Sequence, residues 1–428
     1  MAQIKLWIAI VILLYPAFLL FVDGACVRVT RATLSSIQPF SRICNLSSAK
    51  SLNFRGVNMT GVHFTTLKSS ALISFDETCI LDGVVINKLL VNQDNPKKGL
   101  SYVRFQLDTP LKDARIQLIQ VGGRVLVNKR IIRSNIKVFV AEGDINFTLP
   151  VTYSTFGSLK NEPAYNNFRI RFLDLVVHSN FSTVMGGKGV AFTGAVVNSR
   201  IDNIVAGAID AGVQIDKTRK STFSRIEADY MFITGASKCA FGELQASQFV
   251  VVKSVARSTF SKVWGKGYYT AGSYSPGSVF LSSISHSSFN NIEAGTDSSV
   301  YDHNDYEIDF YGPISDSSFN YLLGYPKFRE DAPLLRSNFT LINSSQVAWL
   351  NQMTDTNFET VFARGNIYIL SNLSANVRST FGDLITAWSI AFYRPLPRQL
   401  TCSSISADKG CGVIIDRQLV TKPCPICI

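Results

Sequence analysis

Charged side chains are scarce in this chain. Asp, Glu, Lys and Arg make up 17% of its 428 residues, against roughly 25% in an ordinary soluble domain. That scarcity excludes long Glu/Lys-faced helical arrays and coiled coils. Long apolar runs are missing after residue 22, where none reaches the ~18 residues a membrane span needs. Amphipathic stretches of helical length are missing too, which argues against an α-rich fold. There is no His-Glu-x-x-His, no Gly-x-Ser-x-Gly and no glycine-rich phosphate loop. Gly186-Gly187-Lys188-Gly189 leads into no helical pattern and reads as a turn. These absences remove zincin, serine-hydrolase and nucleotide-binding chemistry from consideration. Disorder is excluded by the opposite observation: 46% of the residues are hydrophobic, enough for a large core. Ser, Thr, Asn and Phe are plentiful, which suits short strands joined by many turns.

Lys5, the apolar run from Leu6 to Val22 and the small residues Gly24 and Ala25 read as a secretory signal over residues 1–25. Pro16 breaks the run and favours a cleaved signal over an uncleaved anchor. The expected location is therefore secreted or surface-displayed, with no stable membrane span after cleavage. Eight cysteines fit such an oxidising compartment. Cys26 and Cys44 lie near one end, Cys402, Cys411, Cys424 and Cys427 near the other, with Cys79 and Cys239 between. All eight are expected to serve as structural disulfides, Cys26–Cys44 being the first pairing to test. Asn-x-Ser/Thr sequons occur at Asn45, Asn58, Asn146, Asn180, Asn338, Asn343 and Asn372 and predict a glycoprotein.

A repeat runs through most of the chain. A small polar residue, a variable one, Phe or Ile, two more residues and an aliphatic recur, as in Ser221-Thr222-Phe223-Ser224-Arg225-Ile226 and Ser287-Ser288-Phe289-Asn290-Asn291-Ile292. The anchors are Ile116, Ile136, Phe156, Phe181, Ile201, Phe223, Phe241, Phe260, Phe289, Phe319, Phe339, Phe358 and Phe381. Ten of their twelve intervals lie between 18 and 25 residues. A period near 20, carried by short β-branched bursts such as Phe249-Val250-Val251-Val252, predicts one coil of strands per repeat. The fold class is therefore all-β: a parallel β-solenoid of about 13 coils with the anchors stacked inside as a ladder ~4.8 Å apart. Residues 26–110 are expected to form an N-terminal cap and irregular first coils, 111–395 the helix, and 396–428 a cysteine-rich C-terminal cap. Asn53 to Leu67 also form three tandem five-residue units similar to the pentapeptide repeats of four-sided β-helices.

The pattern over residues 110–395 resembles the pectin-lyase-like superfamily of right-handed single-stranded parallel β-helices. The resemblance implies the handedness and architecture, and it offers two echoes of catalytic elements. Val300-Tyr301-Asp302-His303 resembles the Trp-x-Asp-His element of pectate lyases, with Tyr in place of Trp. Arg394-Pro395-Leu396-Pro397-Arg398 resembles their Arg-x-Pro-x-x-Arg element, one residue short. Asp302, His303 and Arg394 are thus the catalytic candidates that the resemblance supplies. The Gly-His-Gly of polygalacturonases is absent.

In a solenoid, loops that bulge from the coils carry function. Two successive intervals are about ten residues too long, at 29 and 30 residues. The first holds Trp264, Tyr268, Tyr269 and Tyr274; the second holds Tyr301, Asp302, His303, Asp305, Tyr306, Glu307, Asp309 and Tyr311. Aromatic faces stack on sugar rings, which makes Trp264, Tyr268, Tyr269, Tyr274, Tyr301, Tyr306, Glu307 and Tyr311 the ligand-binding candidates. Asp302, Asp305, Glu307 and Asp309 could hold Ca²⁺; no other cofactor is indicated.

The net charge is +11, and residues 97–137 concentrate ten Lys/Arg against Asp108 and Asp113. For an extracellular protein that excess suits acidic polysaccharide or an anionic surface better than nucleic acid. The sequence therefore points to a secreted or surface-displayed β-solenoid glycoprotein that binds a glycan or a surface protein without catalysis. A polysaccharide lyase or glycoside hydrolase of the pectin-lyase-like group is the alternative, and homo-oligomers are compatible with either.

Overall fold

The computed structural model describes residues 26–91, 102–161, 168–270, 273–275, 277–295, 307–329, 332–344, 348–350, 353–369, 379–386, 389–392, 401–407, 413–415 and 418–420. The chain divides into two compact units, residues 1–158 and 159–428. Both are built the same way. Strands pair in parallel with the strand one turn earlier and one turn later, and each turn supplies strands to three ladders. Across the two units there are about 14 turns at ~21-residue spacing. Among the described residues the only helix is a short 3-10 segment, Arg31–Ser36.

In the first unit, ladder A stacks Arg42–Ser48, His63–Ser69, Val85–Val91, Arg115–Val121 and Asn135–Ala141. Ladder B stacks Leu52–Phe54, Ile73–Phe75, Val103–Leu107, Arg124–Val127 and Ile145–Phe147. Ladder C is made of two-residue strands, Leu81–Asp82, Leu111–Lys112, Ile131–Ile132 and Val151–Thr152. Turns begin at Arg42, within the segment expected to hold the cap and first irregular coils. Their repeat was hidden because Val62, Val84 and Ala114 stand where later turns carry serine, ahead of Phe64, Ile86 and Ile116. Asn53 to Leu67 are not pentapeptide coils. They run through ladder B, a bridge from Asn58 to Ile80 and the start of ladder A.

The anchor spacing has a mechanical reading. A regular strand points alternate residues inward, yet Phe and the aliphatic three positions later are both buried. Ladder A resolves this with two consecutive outward residues between them, as in Ser288–Ala294, where Phe289, Ile292 and Ala294 face in. The pairing skips the residue after each anchor: Phe260 pairs with Phe289, then Lys262 with Asn291. In the second unit eight rings stack in register: Phe223, Phe241, Phe260, Phe289, Phe319, Phe339, Phe358 and Phe381. Their centroids lie 4.4–5.2 Å apart and their planes are within 12° of parallel.

The small polar residue before each anchor closes the corner from ladder C to ladder A. The residue ahead of it adopts a left-handed conformation, with φ of 46–55° at Asp113, Arg133 and Tyr153 in the first unit. The same holds in the second unit at His178, Asn198, Lys220, Lys238, Arg257, His286, Asp316, Arg336 and Asp355. This conformation costs an L-residue roughly 1–2 kcal/mol, and hydrogen bonds offset it. The buried hydroxyl donates to the carbonyl two residues back at 2.7–3.0 Å. It also accepts the N–H of the equivalent residue one turn earlier at 3.1–3.4 Å. Short hydroxyl side chains recur here because only they can do both in so small a space.

Cys239 occupies one rung of this ladder. It is a free, buried thiol, and Cys79 is another. The expectation that all eight cysteines form disulfides is corrected for these two. Cys239 donates to the Ser237 carbonyl as a serine would, and its N–H reaches the Ser258 hydroxyl. Cys79 packs against Asp76, and burial pushes its thiol up, which keeps it protonated and unreactive. Cys239→Ser should restore a uniform ladder. We expect it to fold and to match the parent's urea midpoint or exceed it by up to about 1 kcal/mol. A clear loss of stability would mean that sulfur fills this rung in a way oxygen cannot.

Cys26–Cys44 is a disulfide, as expected. It ties residues 26–41 over the first turn, where Val29, Leu34 and Ile37 are buried. At the other end the coil continues past residue 395. Thr401–Ala407 pairs in parallel with Thr380–Thr386, placing Cys402 in register with Phe381. Val413–Ile415 extends ladder B and then pairs antiparallel with Gln418–Val420. Cys411, Cys424 and Cys427 lie outside the described residues, as do residues 1–25, where a signal is expected. No helix of the described residues is long and apolar enough to cross a membrane.

Candidate binding site at the insertion corner

The two long intervals open at the same corner, between ladders A and B, in successive turns of the second unit. The first leaves Thr259–Gly265 and folds into an antiparallel hairpin, Tyr268–Thr270 with Ser273–Ser275. It rejoins ladder B at Ser278–Ser285. Its neck is closed by glycines: a Cβ at Gly277 would lie 2.1 Å from the Gly265 carbonyl oxygen and 2.2 Å from the Gly267 nitrogen. The second interval leaves Ser288–Ala294 and rejoins at Glu307–Phe310. The roots are in register, Trp264 beside Glu293 and Val279 beside Ile308. The turns on either side run through this corner as single strands, Ala240–Ala256 and Ser318–Phe328.

Trp264 fastens the two roots. Its indole N–H donates to the Gly295 carbonyl at 3.3 Å, and the Gly295 N–H donates to Gly265 at 2.8 Å. Lys262 Nζ sits 4.5 Å from the ring centroid and bonds Glu293 at 3.2 Å, while Lys266 Nζ lies 5.5 Å from the centroid. The ring is thus engaged by cations, and Trp264 positions the corner rather than offering an open stacking face. Tyr269 pairs with Tyr274 across the hairpin.

Asp309 departs from its expected role as a calcium ligand. It is 0% exposed, and both carboxylate oxygens are taken by Arg329. A buried carboxylate needs such a partner, and a guanidinium fork already fills it. Tyr311 is half-buried beside this pair. Burial, with the Asp309 charge adding to it, pushes its phenol up despite Arg329. Glu307 is half-buried at the start of the same strand. Among the described residues no three His, Cys, Asp or Glu side chains converge as a metal site. Tyr301, Asp302, His303, Asp305, Tyr306 and Arg394 lie outside the described residues.

Sequence reasoning missed an aromatic belt on the solvent side of ladder B. Tyr230, Phe232, Phe249 and Phe280 are half-buried there, with ring centroids 5.5–6.3 Å apart. Phe280 follows the hairpin and pairs in register with Asp309, so the belt runs up to the insertion roots. The signal was present in the sequence: aromatics fall on the outward parity of strands whose inward positions are already filled, as in Tyr230-Met231-Phe232.

Of the sequons, Asn45, Asn58 and Asn180 are exposed, and Asn338 and Asn343 are half-buried. Asn146 is 6% exposed, its Oδ1 lacking a hydrogen-bond partner, and offers no room for a glycan. Asn372 lies outside the described residues.

Three of the ten cations of the stretch at 97–137 meet a carboxylate, and a fourth is held by a carbonyl. Arg133 forks onto Asp113 at 2.7 Å, Lys112 meets Asp82 at 2.6 Å, Arg124 approaches Asp144 at 3.8 Å, and Arg104 donates to the Ala71 carbonyl. In the second unit Arg336 forks onto Asp316 at the equivalent corner. The hydrogen bond from Arg133 lowers the Asp113 pKa, and that from Arg336 lowers the Asp316 pKa. A depressed folded pKa means that the stabilisation is complete above the unfolded value near 4 and is lost as pH falls through the folded one. The thermal midpoint should therefore drop as pH falls from about 5 toward 2. Asp113→Asn/Asp316→Asn should flatten that drop; an unchanged acid slope would show that these forks contribute nothing. Both pairs are exposed, so the effect should be small and screened by salt.

No family model matches the chain, and no curated protein matches it. A solved structure, that of the autotransporter UpaB from E. coli strain CFT073, aligns over 88% of this chain and 88% of its own. The identity is 12% and the TM-score 0.19, a likeness too low to carry an argument.

Proposed function

We propose that the protein is a secreted or surface-displayed β-solenoid that holds a non-catalytic binding site for a glycan at the insertion corner. The observation behind this reading is the pairing of insertions. Two successive turns, and neither flanking one, break the coil at one corner, and the aromatic belt of ladder B leads to their roots. A repeating scaffold gains nothing in stability from such breaks, so their adjacency in two successive turns of the second unit argues for use. Half-buried aromatic rings beside polar loops suit sugar faces. The Cys26–Cys44 disulfide supports an oxidising compartment. Parallel coils with three ladders are the architecture that the pectin-lyase-like resemblance implies, but architecture carries no activity.

The test is a glycan panel read for both binding and turnover. Wild type should bind at least one glycan without releasing unsaturated or reducing product. Phe249→Ser/Phe280→Ser, and replacement of residues 267–277 by a two-residue turn, should each abolish binding while the far-ultraviolet spectrum keeps its β-signature. Turnover dependent on Asp302 or Arg394 would overturn the reading in favour of a lyase or hydrolase.

A further inference from the structure

The corner between ladders C and A calibrates its own electrostatics. Where its left-handed residues carry opposite charges on successive turns, they meet: Arg133 with Asp113 at 2.7 Å, Arg336 with Asp316 at 2.6–2.9 Å. Side chains at this position thus reach one another across one turn. The stacking itself is fixed by the backbone, since each left-handed N–H donates to the turn above. Lys220 bonds to Ser237, Lys238 to Ala256, Arg257 to Ser285 and His286 to Ser315, all at 3.0 Å. Lys220, Lys238 and Arg257 are therefore three like charges on three successive turns, all exposed, at the spacing where the other turns form ion pairs.

Among the described residues no carboxylate forms an ion pair with them. Residues 212–257 carry four acids, each engaged elsewhere. Asp216 takes the Gln214 amide, Glu227 takes Arg225, Glu243 approaches Arg225, and Asp229 accepts from the Ser247 hydroxyl. Lys217, Arg219 and Lys253 add exposed cations on the same turns. His286 occupies this position on the next turn, and Asp316, one turn further, lies 3.9 Å from it. Like charges one strand apart repel. A protein that pairs this corner in other turns yet leaves three rungs cationic presents a linear array of charge at ~4.8 Å intervals.

We propose that this ridge binds a linear polyanionic polysaccharide, a chain whose sulfates or carboxylates recur along its length as the cations do. The choice of polysaccharide rests on the extracellular reading above; the ridge itself does not, because it lies at a different corner from the insertions. Binding should be electrostatic, with counterions released in proportion to the cations engaged.

The experiment uses the full chain on immobilised heparin, with dextran sulfate, polygalacturonate and double-stranded DNA as soluble competitors. Lys220→Asn/Lys238→Asn/Arg257→Asn removes the ridge; Asn198 already occupies this corner one turn earlier, so the substitution suits the backbone. Lys88→Gln/Arg115→Gln/Lys137→Gln removes the same net charge from exposed ladder A positions of the first unit. We expect the ridge variant to bind at least tenfold more weakly near physiological salt. Its slope of log affinity against log salt should be smaller by about 2–3, while the control stays within twofold of wild type. Lys220→Asn and Lys238→Asn singly should each show part of the loss, which keeps the test open if the triple variant misfolds. Equal weakening in ridge and control variants would reduce the effect to net charge and overturn the proposal, as would no weakening in either. Displacement by DNA at lower concentration than by both polysaccharides would overturn the choice of ligand. Loss of glycan binding in the hairpin-replaced variant, with heparin retention intact, would separate the two sites.

Discussion

Phe289→Ala should lower the unfolding free energy of the second unit by about 3–5 kcal/mol. Phe289 is 1% exposed and lies between two parallel rings, Phe260 at 4.4 Å and Phe319 at 5.1 Å. In a globular core, neighbours relax into such a gap and recover part of the loss. Here they cannot move closer along the stack. The turns are held at strand spacing by hydrogen bonds on ladders A and B, with the serine ladder bonding Ser258 to Ser287 and Ser287 to Ser317 on either side. The void should persist, which puts the cost at the upper end of the range. Phe289→Leu, which keeps most of the volume, should cost about 1–1.5 kcal/mol. Because each turn touches only its neighbours, the damage should also be local. Amide exchange should accelerate most in Ser288–Ala294 and in the ladder A strands above and below it. Urea unfolding and exchange mapping check both parts; a loss under 1 kcal/mol, or one spread evenly over the unit, would mean that the stacked rings are packing filler rather than the spine of the coil.

That spine was the most legible feature of the sequence. Inward residues must repeat turn after turn, because equivalent positions stack on one another, so Phe and Ile recur at the same place however long the loops become. The 29- and 30-residue intervals leave the ring spacing unaltered, since the extra residues leave the coil at a corner. The early turns were illegible for the complementary reason. Val62, Val84 and Ala114 fill the corner without a hydroxyl, and the left-handed residues Gly61 and Gly83 look like ordinary turn glycines. Charge was the least legible property. Ten cations within residues 97–137 look like a basic face, yet partners for several of them lie one turn away, 20 residues apart for Arg133 and Asp113. The cationic ridge is spread over Lys220, Lys238 and Arg257, whose separations hide it in a linear reading. The insertion corner was found from interval length alone, but the aromatic belt beside it needs strand parity, and parity needs the skipped residue in ladder A. Asp309 was misread because it follows an acid-rich insertion, whereas Arg329, 20 residues on and two positions past its register partner Lys327, had already claimed it.

The Cys26–Cys44 disulfide should matter more than its terminal position suggests. Its 18-residue separation implies about 3 kcal/mol from restricting the unfolded chain. Its second effect is on the open end of the coil. Arg42–Ser48 and Leu52–Phe54 are the first strands of ladders A and B, and a bare first turn would present unpaired backbone and the apolar interior to other chains. Residues 26–41 cover it through buried Val29, Leu34 and Ile37 and through three backbone bonds, Val27 to Arg42, Phe40 to Thr60 and His63 to Ser41. That is a small contact for a segment with little regular structure, and the disulfide holds it in place. Cys26→Ser/Cys44→Ser should therefore lift the cover before the first unit unfolds. Amides of Arg42–Ser48 should lose exchange protection, and the chain should associate at concentrations where wild type stays monodisperse. Reduction of the wild-type protein should reproduce both effects, and Cys79→Ser should reproduce neither, because Cys79 is already a free thiol. If the double variant keeps its exchange protection and stays monodisperse, the buried side chains alone secure the end of the coil, and the disulfide only reports the compartment in which the chain folds.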